Sequence, residues 1–112
     1  MPRNMSFSKT IKPIKNKTKT VTRRTAWRSL KPGTILWACE KTMGLKKGEK
    51  VKRICKIKVV EVSQERLGAI TQEEVVKEGF PGMSVGGFLA MFADLNKCAD
   101  DVVVTRIEFE YV

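Results

Sequence analysis

The sequence predicts an α+β domain in which a small, largely antiparallel sheet or barrel packs against two or three short helices. Residues 51–62 and 103–111 alternate apolar and polar side chains, as half-buried strands do. Between them, residues 71–79 and 84–95 carry helix caps and helical spacing. A chain of 112 residues has room for one core, so residues 1–112 are expected to form a single domain, with the order of residues 1–4 left open.

The first third of the chain predicts three short elements. Alternation around Met5 and Phe7 indicates a strand over residues 4–8. Residues 10–17 favour a short helix or turn, because Pro13 is tolerated only in a first helical turn. The turn at residues 30–33 precedes an apolar segment, 34–39, that predicts a core strand.

The glycine-bounded loop at residues 44–48 separates two predicted strands, 34–39 and 51–62, which most simply form a hairpin. In the second of these strands the alternation breaks at Val59 and Val60. Such a break predicts a β-bulge that turns the strand, as a barrel requires.

Two capped helices are predicted before the last strand. Thr71 and Glu74 form a capping box, and Gly79 ends that helix. Ser84 caps a second helix, whose apolar stripe is expected in the core. The stripe comprises Val85, Phe88, Leu89, Phe92 and Leu95. The final strand places one set of side chains on its buried face, namely Val103, Thr105, Ile107, Phe109 and Tyr111.

Charge is distributed unevenly along the chain. Residues 1–39 carry ten lysines and arginines and no acidic residue, whereas residues 40–112 carry twelve of each sign. The net charge of +10 therefore arises entirely in the first segment, which favours an anionic partner that carries phosphates. The alternative is a solvated basic arm without a dedicated ligand.

Several functional classes are disfavoured by composition. The chain has no histidine, and its three cysteines are widely spaced in apolar or helical surroundings, so neither a disulfide framework nor a metal site is expected. No apolar run is long enough for a membrane span, and a cytoplasmic location is expected. No cofactor is predicted, and the sequence does not indicate an oligomeric state.

Four separated signals together resemble one known family. They are the segment Lys19-Thr20-Val21-Thr22-Arg23-Arg24, the turn Leu30-Lys31-Pro32-Gly33 before a strand, Glu78-Gly79-Phe80 after a short helix, and the aromatic final strand. In this order and spacing they resemble the ASCH domain of the PUA-like superfamily, from about Met5 to Tyr111. The glycine usual two residues before the motif lysine is replaced by Lys17.

The resemblance implies a PUA-like β-barrel with a cleft between the first and third of these signals. Members of the family are thought to bind RNA or modified nucleosides, and one bacterial group resembles an amidohydrolase that deacetylates N4-acetylcytidine. Carried over by motif, its catalytic lysine, threonine and glutamate fall on Lys19, Thr22 and Glu78. A further basic residue of the cleft falls on Arg24.

The residue chemistry is compatible with either binding or catalysis. A threonine is nucleophilic only when a base takes its proton, and Lys19 could do so if Arg23 and Arg24 lower its pKa. Lys19 and Thr22 meet only if the chain bends there. Trp27 is a candidate for base stacking, whereas Trp37 is expected in the core. The candidate ligand contacts are Lys17, Lys19, Thr20, Arg23, Arg24 and Trp27.

Three functions are compatible with these patterns. The first is a binding module for RNA or a modified nucleotide. The second is a metal-independent hydrolase of N4-acetylcytidine, with Thr22 as nucleophile, Lys19 as base and Glu78 orienting the substrate or relaying the proton. The third is an adaptor whose basic segment docks an acidic protein.

Overall fold

The computed structural model describes residues 2–99 and 101–112 of the chain. Within these residues there are five strands and three helices, so the α+β class is confirmed. The predicted elements occur in the predicted order, and a strand over Val21–Arg24, which the sequence did not predict, is added to them. The elements are β1 (Arg3–Ser6), α1 (Ile11–Lys15), β2 (Val21–Arg24), β3 (Ile35–Cys39), β4 (Arg53–Arg66), α2 (Gln72–Lys77), α3 (Val85–Asn96) and β5 (Val103–Tyr111), with a 3₁₀ turn at Leu67–Ala69. Of the N-terminal residues whose order was left open, Arg3 and Asn4 belong to β1, and Met1 lies outside the described residues.

The five strands form one sheet in the order β1-β3-β4-β5-β2. Strand β1 runs parallel to β3, and the other three pairings are antiparallel. The predicted hairpin is β3 with β4. The predicted bulge is also present, because Val59 pairs with Phe109 whereas Glu61 pairs with Glu108, which leaves Val60 as the extra residue.

The two edge strands, β1 and β2, do not pair with each other in the described sheet, so the expected barrel is not closed by a backbone ladder. A side chain bridges the gap instead. Arg24 of β2 donates a hydrogen bond of 2.6 Å from Nη2 to the main-chain oxygen of Ser6 in β1. This edge also opens onto the cleft described below.

Two apolar clusters make up the core. The larger lies between the sheet and α1 and includes Phe7, Ile14 and Ile107. The smaller lies beneath α2 and α3 and includes Phe88 and Val104. Each cluster uses side chains from β5, so this strand is buried on both faces for part of its length.

The predicted faces of β5 and α3 need two corrections. Val103 was expected on the buried face of β5 but is 41% exposed, whereas Val104 is buried beneath α3. Leu95 was expected in the core and is 47% exposed, because it lies in the last turn of α3 where the helix passes the edge of the core. Phe88 and Phe92 of the same stripe are buried as predicted.

Both predicted helix caps form. The Thr71 hydroxyl accepts a hydrogen bond from the Glu74 amide, and the Ser84 hydroxyl accepts one from the Gly87 amide. The Glu74 carboxylate, however, does not complete the capping box. It binds arginines from two strands, which becomes important for the site.

No helix in residues 2–99 and 101–112 combines the length and the apolar character that crossing a bilayer requires.

Candidate functional site

A cleft of about 530 Å³ lies where β2, the segment after β1, the end of α2 and one face of α3 meet. The sequence motifs that carried the family resemblance contribute both of its walls. The motif residues that line it are Lys19, Thr22, Arg23, Arg24, Glu78 and Phe80. The structure therefore brings together the two signals that are separated by more than fifty residues in the chain.

Lys19 lies at the base of this cleft and is only 3% exposed. Its Nζ donates to the main-chain oxygen of Glu78 at 2.5 Å and to Glu78 Oε1 at 3.0 Å. Burial lowers the pKa of Lys19, and the neighbouring charges of Arg24 and Arg23 lower it further, while Glu78 opposes them. The expected effect of the two arginines on this lysine is therefore present, although burial is the larger cause.

Glu78 is positioned by the way α2 ends. The residue caps the C-terminus of α2, and Gly79 then takes a φ of +101°, which favours glycine. A Cβ at Gly79 would lie 2.9 Å from Pro13 Cβ, so the end of α2 packs directly on α1. This close approach places the Glu78 carboxylate inside the protein, where it is 4% exposed and accepts from Lys19 and Arg23.

Arg23 is paired with carboxylates of the protein itself. Its guanidinium contacts three carboxylates, with Nη1 3.0 Å from Glu78 Oε2 and Nη2 2.7 Å from Glu74 Oε1 and 3.0 Å from Glu65 Oε1. The Arg23 side chain is almost wholly buried. We conclude that Arg23 holds Glu78 and Glu74 in place, while its role as a ligand contact stays a prediction.

The ion-pair network continues from Glu74 to β5. Arg106 donates to Glu74 Oε1 from Nε at 2.6 Å and to Oε2 from Nη2 at 3.3 Å. Hydrogen bonds from Arg106, and secondarily from Arg23, lower the pKa of Glu74 to about 2. The sequence did not reveal this role of Arg106, because its partner lies 32 positions away on another element.

Arg24 is the cation of the motif segment, residues 19–24, that lacks a carboxylate partner among the described residues. No Asp or Glu oxygen of the described residues lies within 4.0 Å of its guanidinium. Nε donates to Thr22 Oγ1 at 3.1 Å, and the guanidinium carbon lies 4.9 Å from the centre of the Phe7 ring. Burial lowers the pKa of Arg24 to about 10, still far above neutrality, so the group remains charged.

Thr22 and Lys19 line the same cleft, as the motif implied, but are not hydrogen-bonded to each other in the described structure. The bend that sequence reasoning required is present, because β2 begins only at Val21 and Lys19 precedes it. Tyr111 fixes this bend by donating a hydrogen bond of 2.6 Å to the Lys19 main-chain oxygen.

Aromatic side chains form the apolar walls of the cleft. Phe7 and Phe80 each have their ring centre 5.9 Å from Lys19 Nζ, and Phe80 packs edge-on against Phe88. Sequence reasoning assigned Phe7 to a strand and Phe88 to the core without connecting either to the site. Nothing in their local pattern distinguishes a core residue from one at a cleft wall.

Three of the predicted contact residues lie outside the cleft lining. Lys17 lies beyond the C-terminus of α1, in a second cavity. Thr20 is engaged through its backbone, which donates to Lys77 and accepts from Phe109. Trp27 packs against the larger core cluster beneath the Arg3 guanidinium, 4.7 Å from its ring centre, and so is not a base-stacking residue of this cleft.

Trp37 does not lie in the core, where the sequence predicted it. Trp37, expected in the core, is only partly buried, and Arg53 and Lys56 lie over its ring at 5.0 and 5.1 Å. The reason is the strand period: Leu36 and Ala38 take the buried face of β3, which leaves Trp37 on the other face.

The three cysteines are free thiols, Cys39 buried and Cys55 and Cys98 partly so. No group of three or more Cys, Asp or Glu side chains within the described residues is arranged to hold a metal ion.

Comparison with known proteins identifies the fold. No family model matches the sequence, and no curated protein matches it. Among solved structures, an ASCH domain from Lactobacillus crispatus JV V101 is similar with a TM-score of 0.73 and 14% identity, over 97% of this chain and 78% of that one. Protein EF3133 from Enterococcus faecalis V583, of family DUF984, is similar with a TM-score of 0.72 and 12% identity, over 100% and 80%. The hypothetical protein PH0355 gives a TM-score of 0.63 at 23% identity, over 100% of both chains. The chain therefore has the same α+β fold as the ASCH domain from Lactobacillus crispatus.

Proposed function

We propose that this chain is an ASCH domain whose cleft binds a nucleotide of RNA or a modified nucleotide. The order of its sequence motifs and the similarity of its fold to an ASCH-domain structure support this assignment. At about 530 Å³ the cleft lies within the size range of small-molecule sites and combines apolar walls with a few convergent polar groups.

The observation that carries the proposal is Arg24. Its guanidinium donates to neutral oxygens of Thr22 and Ser6, but no carboxylate of the described residues balances its charge, which is costly in a partly buried position. Carbonyl oxygens of a base, or phosphate oxygens, are suitable acceptors for its planar donors. The partly buried Phe80 ring, 5.9 Å from Lys19 Nζ in the same cleft, offers an apolar face for a base or sugar.

Calorimetric titration with cytidine, cytidine monophosphate and N4-acetylcytidine tests the proposal. We expect at least one of them to bind, and Arg24→Gln to weaken it about tenfold or more, the loss of one charge-assisted hydrogen bond. Arg28→Gln, an exposed arginine outside the cleft, is the matched control. Binding should weaken with salt for the charged ligand and survive Thr22→Ala. Equal affinity in Arg24→Gln and Arg28→Gln would contradict the proposal.

A second candidate function, hydrolysis of N4-acetylcytidine, is favoured by one specific arrangement. Lys19 has a lowered pKa and shares the cleft with the Thr22 hydroxyl and the Glu78 carboxylate. A neutral lysine can accept the proton of a threonine hydroxyl, and the Arg24 donor on Thr22 Oγ1 stabilises the alkoxide character that develops as this proton leaves.

In this scheme Thr22 Oγ1, whose developing negative charge the Arg24 donor stabilises, attacks the acetyl carbonyl carbon as its proton passes to Lys19. The carbonyl oxygen of the acetyl group becomes the oxyanion of a tetrahedral intermediate. The C–N bond then breaks as the carbonyl re-forms, and the cytidine amine leaves with the proton returned from Lys19. Water hydrolyses the resulting acetyl ester of Thr22 and releases acetate. Glu78 acts as a positioning residue, because its carboxylate and main-chain oxygen hold Lys19.

Chelator-treated protein incubated with N4-acetylcytidine, with products separated by chromatography, tests this scheme. We expect turnover in the unmodified protein, near-complete loss in Thr22→Ala, and partial recovery in Thr22→Ser, which restores the hydroxyl. Circular dichroism of each variant checks that it is folded. Turnover that persists in Thr22→Ala would rule out Thr22 as the nucleophile. If the unmodified protein binds N4-acetylcytidine without hydrolysing it, binding is left as the function.

A further inference from the structure

A second cavity, of about 620 Å³, lies between the C-terminus of α1 and the start of β4. Its charged lining consists of Lys15, Lys17, Lys52, Arg53 and Glu40, four cations and one carboxylate. None of these residues takes part in the ion-pair network of the cleft. The cavity is therefore a separate concentration of positive charge.

The cations of this second cavity are poorly neutralised. Lys15 Nζ lies 3.7 Å from Glu40 Oε2, too long for a hydrogen bond. Lys17, Lys52 and Arg53 have no carboxylate within 4.0 Å in residues 2–99 and 101–112. The Arg53 guanidinium instead lies over the Trp37 ring, which orients it without neutralising its charge.

A smaller cavity of about 190 Å³ lies between this region and the cleft. It shares Ser8 and Lys41 with the cleft, and Glu40 and Lys52 with the second cavity. The second and the smaller cavity are therefore neighbours beside α1, and we call them together the basic track. Its cations are Lys15, Lys17, Lys41, Lys50, Lys52 and Arg53, against the carboxylates of Glu40 and Glu49.

We propose that the basic track binds the phosphodiester backbone of single-stranded RNA, one nucleotide of which enters the cleft. This inference rests on the proposed binding function and extends it, because it makes a polynucleotide rather than a free nucleoside the ligand. A concave, cation-lined depression suits the backbone of a single strand, whereas a duplex is read by an element that enters its grooves. Lys17, which does not line the cleft, lines the basic track.

The test compares a twelve-nucleotide single-stranded RNA with cytidine monophosphate on three proteins, by fluorescence anisotropy and calorimetry. The proteins are the unmodified chain, the double variant Lys52→Gln/Arg53→Gln, and the control Arg28→Gln/Lys58→Gln, which removes the same charge from exposed positions outside the cleft and the track. Affinity is measured at salt concentrations between 50 and 200 mM. Each phosphate contact on a single strand contributes ~0.7 to the slope of the logarithm of affinity against the logarithm of salt concentration.

We expect the track variant to bind the RNA about tenfold more weakly than the control at 0.1 M salt, with a slope shallower by about 1.4. Its affinity for cytidine monophosphate should equal that of the control, because the cleft is intact. If the two double variants bound RNA equally well and still bound the mononucleotide, the proposal that the basic track binds RNA would be wrong. The proposal that the cleft binds a nucleotide would be unaffected. If neither RNA nor mononucleotide binds the unmodified chain, both proposals fail. A twelve-residue polyglutamate that competes as well as RNA would overturn the assignment to RNA and favour an acidic protein partner.

Discussion

Lys19 Nζ donates two hydrogen bonds to Glu78, one to its main-chain oxygen and one to its carboxylate, although 59 positions separate the two residues in the chain. Arg23 binds the other carboxylate oxygen. Glu78→Gln removes the negative charge that pairs with both Lys19 and Arg23. We therefore expect it to lower the free energy of unfolding by about 3 kcal/mol. Denaturant titration measures this loss.

The exposed pair of Asp94 and Lys97, at 3.9 Å, provides the control for this substitution. Asp94→Asn should leave the denaturation midpoint unchanged, because exposed ion pairs contribute little to stability. If Glu78→Gln and Asp94→Asn were equally stable, the buried network would not contribute to the fold.

Glu74 should make stability depend on pH in the acid range. Its folded pKa of about 2 lies below the ordinary value of 4.5, chiefly because Arg106 donates to it. The unfolded chain therefore takes up the proton first as pH falls, and the stabilisation present above pH 4.5 is lost toward pH 2. We expect Glu74→Gln to be less stable by about 2 kcal/mol at pH 6, with the difference vanishing near pH 2.

Unfolding curves at several pH values check this expectation, with Glu73→Gln as the control. Glu73 is the neighbouring exposed glutamate in the same helical turn. A stability difference between the unmodified chain and Glu74→Gln that stayed constant from pH 6 to pH 2 would show that the Arg106 contact does not set the pKa of Glu74.

Gly79→Ala should be more destabilising than Gly48→Ala. Both glycines have a positive φ, of +101° and +82°, so each substitution carries a backbone cost of about 1 kcal/mol. Only at Gly79 does the new Cβ meet another residue, Pro13, at 2.9 Å. We expect thermal denaturation to show that Gly79→Ala loses at least about 1 kcal/mol more stability than Gly48→Ala. Equal losses in the two variants would mean that α1 and α2 do not pack at this point.

Lys17→Gly should stabilise the protein. Lys17 has a φ of +63°, a left-handed conformation that costs a residue with a Cβ about 1–2 kcal/mol. Part of the gain is offset by the larger entropy of glycine in the unfolded chain, so we expect a net increase of about 0.5–1 kcal/mol. Lys15→Gly, inside α1, removes the same charge and should destabilise. A loss of stability in Lys17→Gly would show that the backbone of Lys17 is not strained.

Tyr111 is the only tyrosine of the chain, so its ionisation can be followed alone by absorbance near 295 nm. Burial raises the pKa of its hydroxyl, which donates to the Lys19 main-chain oxygen. We expect the phenolate of the folded protein to appear at a higher pH than in denaturant, where it should appear near pH 10. A folded titration midpoint near pH 10 would mean that Tyr111 does not hold the Lys19 bend.

Much of the fold followed from local patterns. The bulge at Val60, the Thr71 and Ser84 caps and the stop at Gly79 were all predicted, because each depends on residues within a few positions of one another. The positive φ of Lys17 falls where the resemblance expected a glycine.

The roles of the two motif arginines could not be predicted in the same way. Arg23 and Arg24 are adjacent, and strand alternation says only that they face opposite ways. The structure decides that Arg23 meets three carboxylates while Arg24 meets Ser6, Thr22 and the Phe7 ring. Trp27 and Trp37 were misassigned for the same reason, since the face of a strand or turn that becomes buried depends on what packs against it.

The sequence alone determined the α+β class, the element order and the identity of Lys19, Thr22 and Glu78 as residues to examine. The spacing of apolar residues, the helix caps and the turns depend on steric and hydrogen-bond interactions between residues close together in the chain. These interactions can therefore be predicted from the sequence. Only the tertiary structure decided that Glu78 binds Lys19 and Arg23, that Phe7 and Phe88 line the cleft, and that Lys17 lies outside it. These relationships join residues far apart in the chain, and they form because burial leaves each charged group only the partners that folding brings within reach.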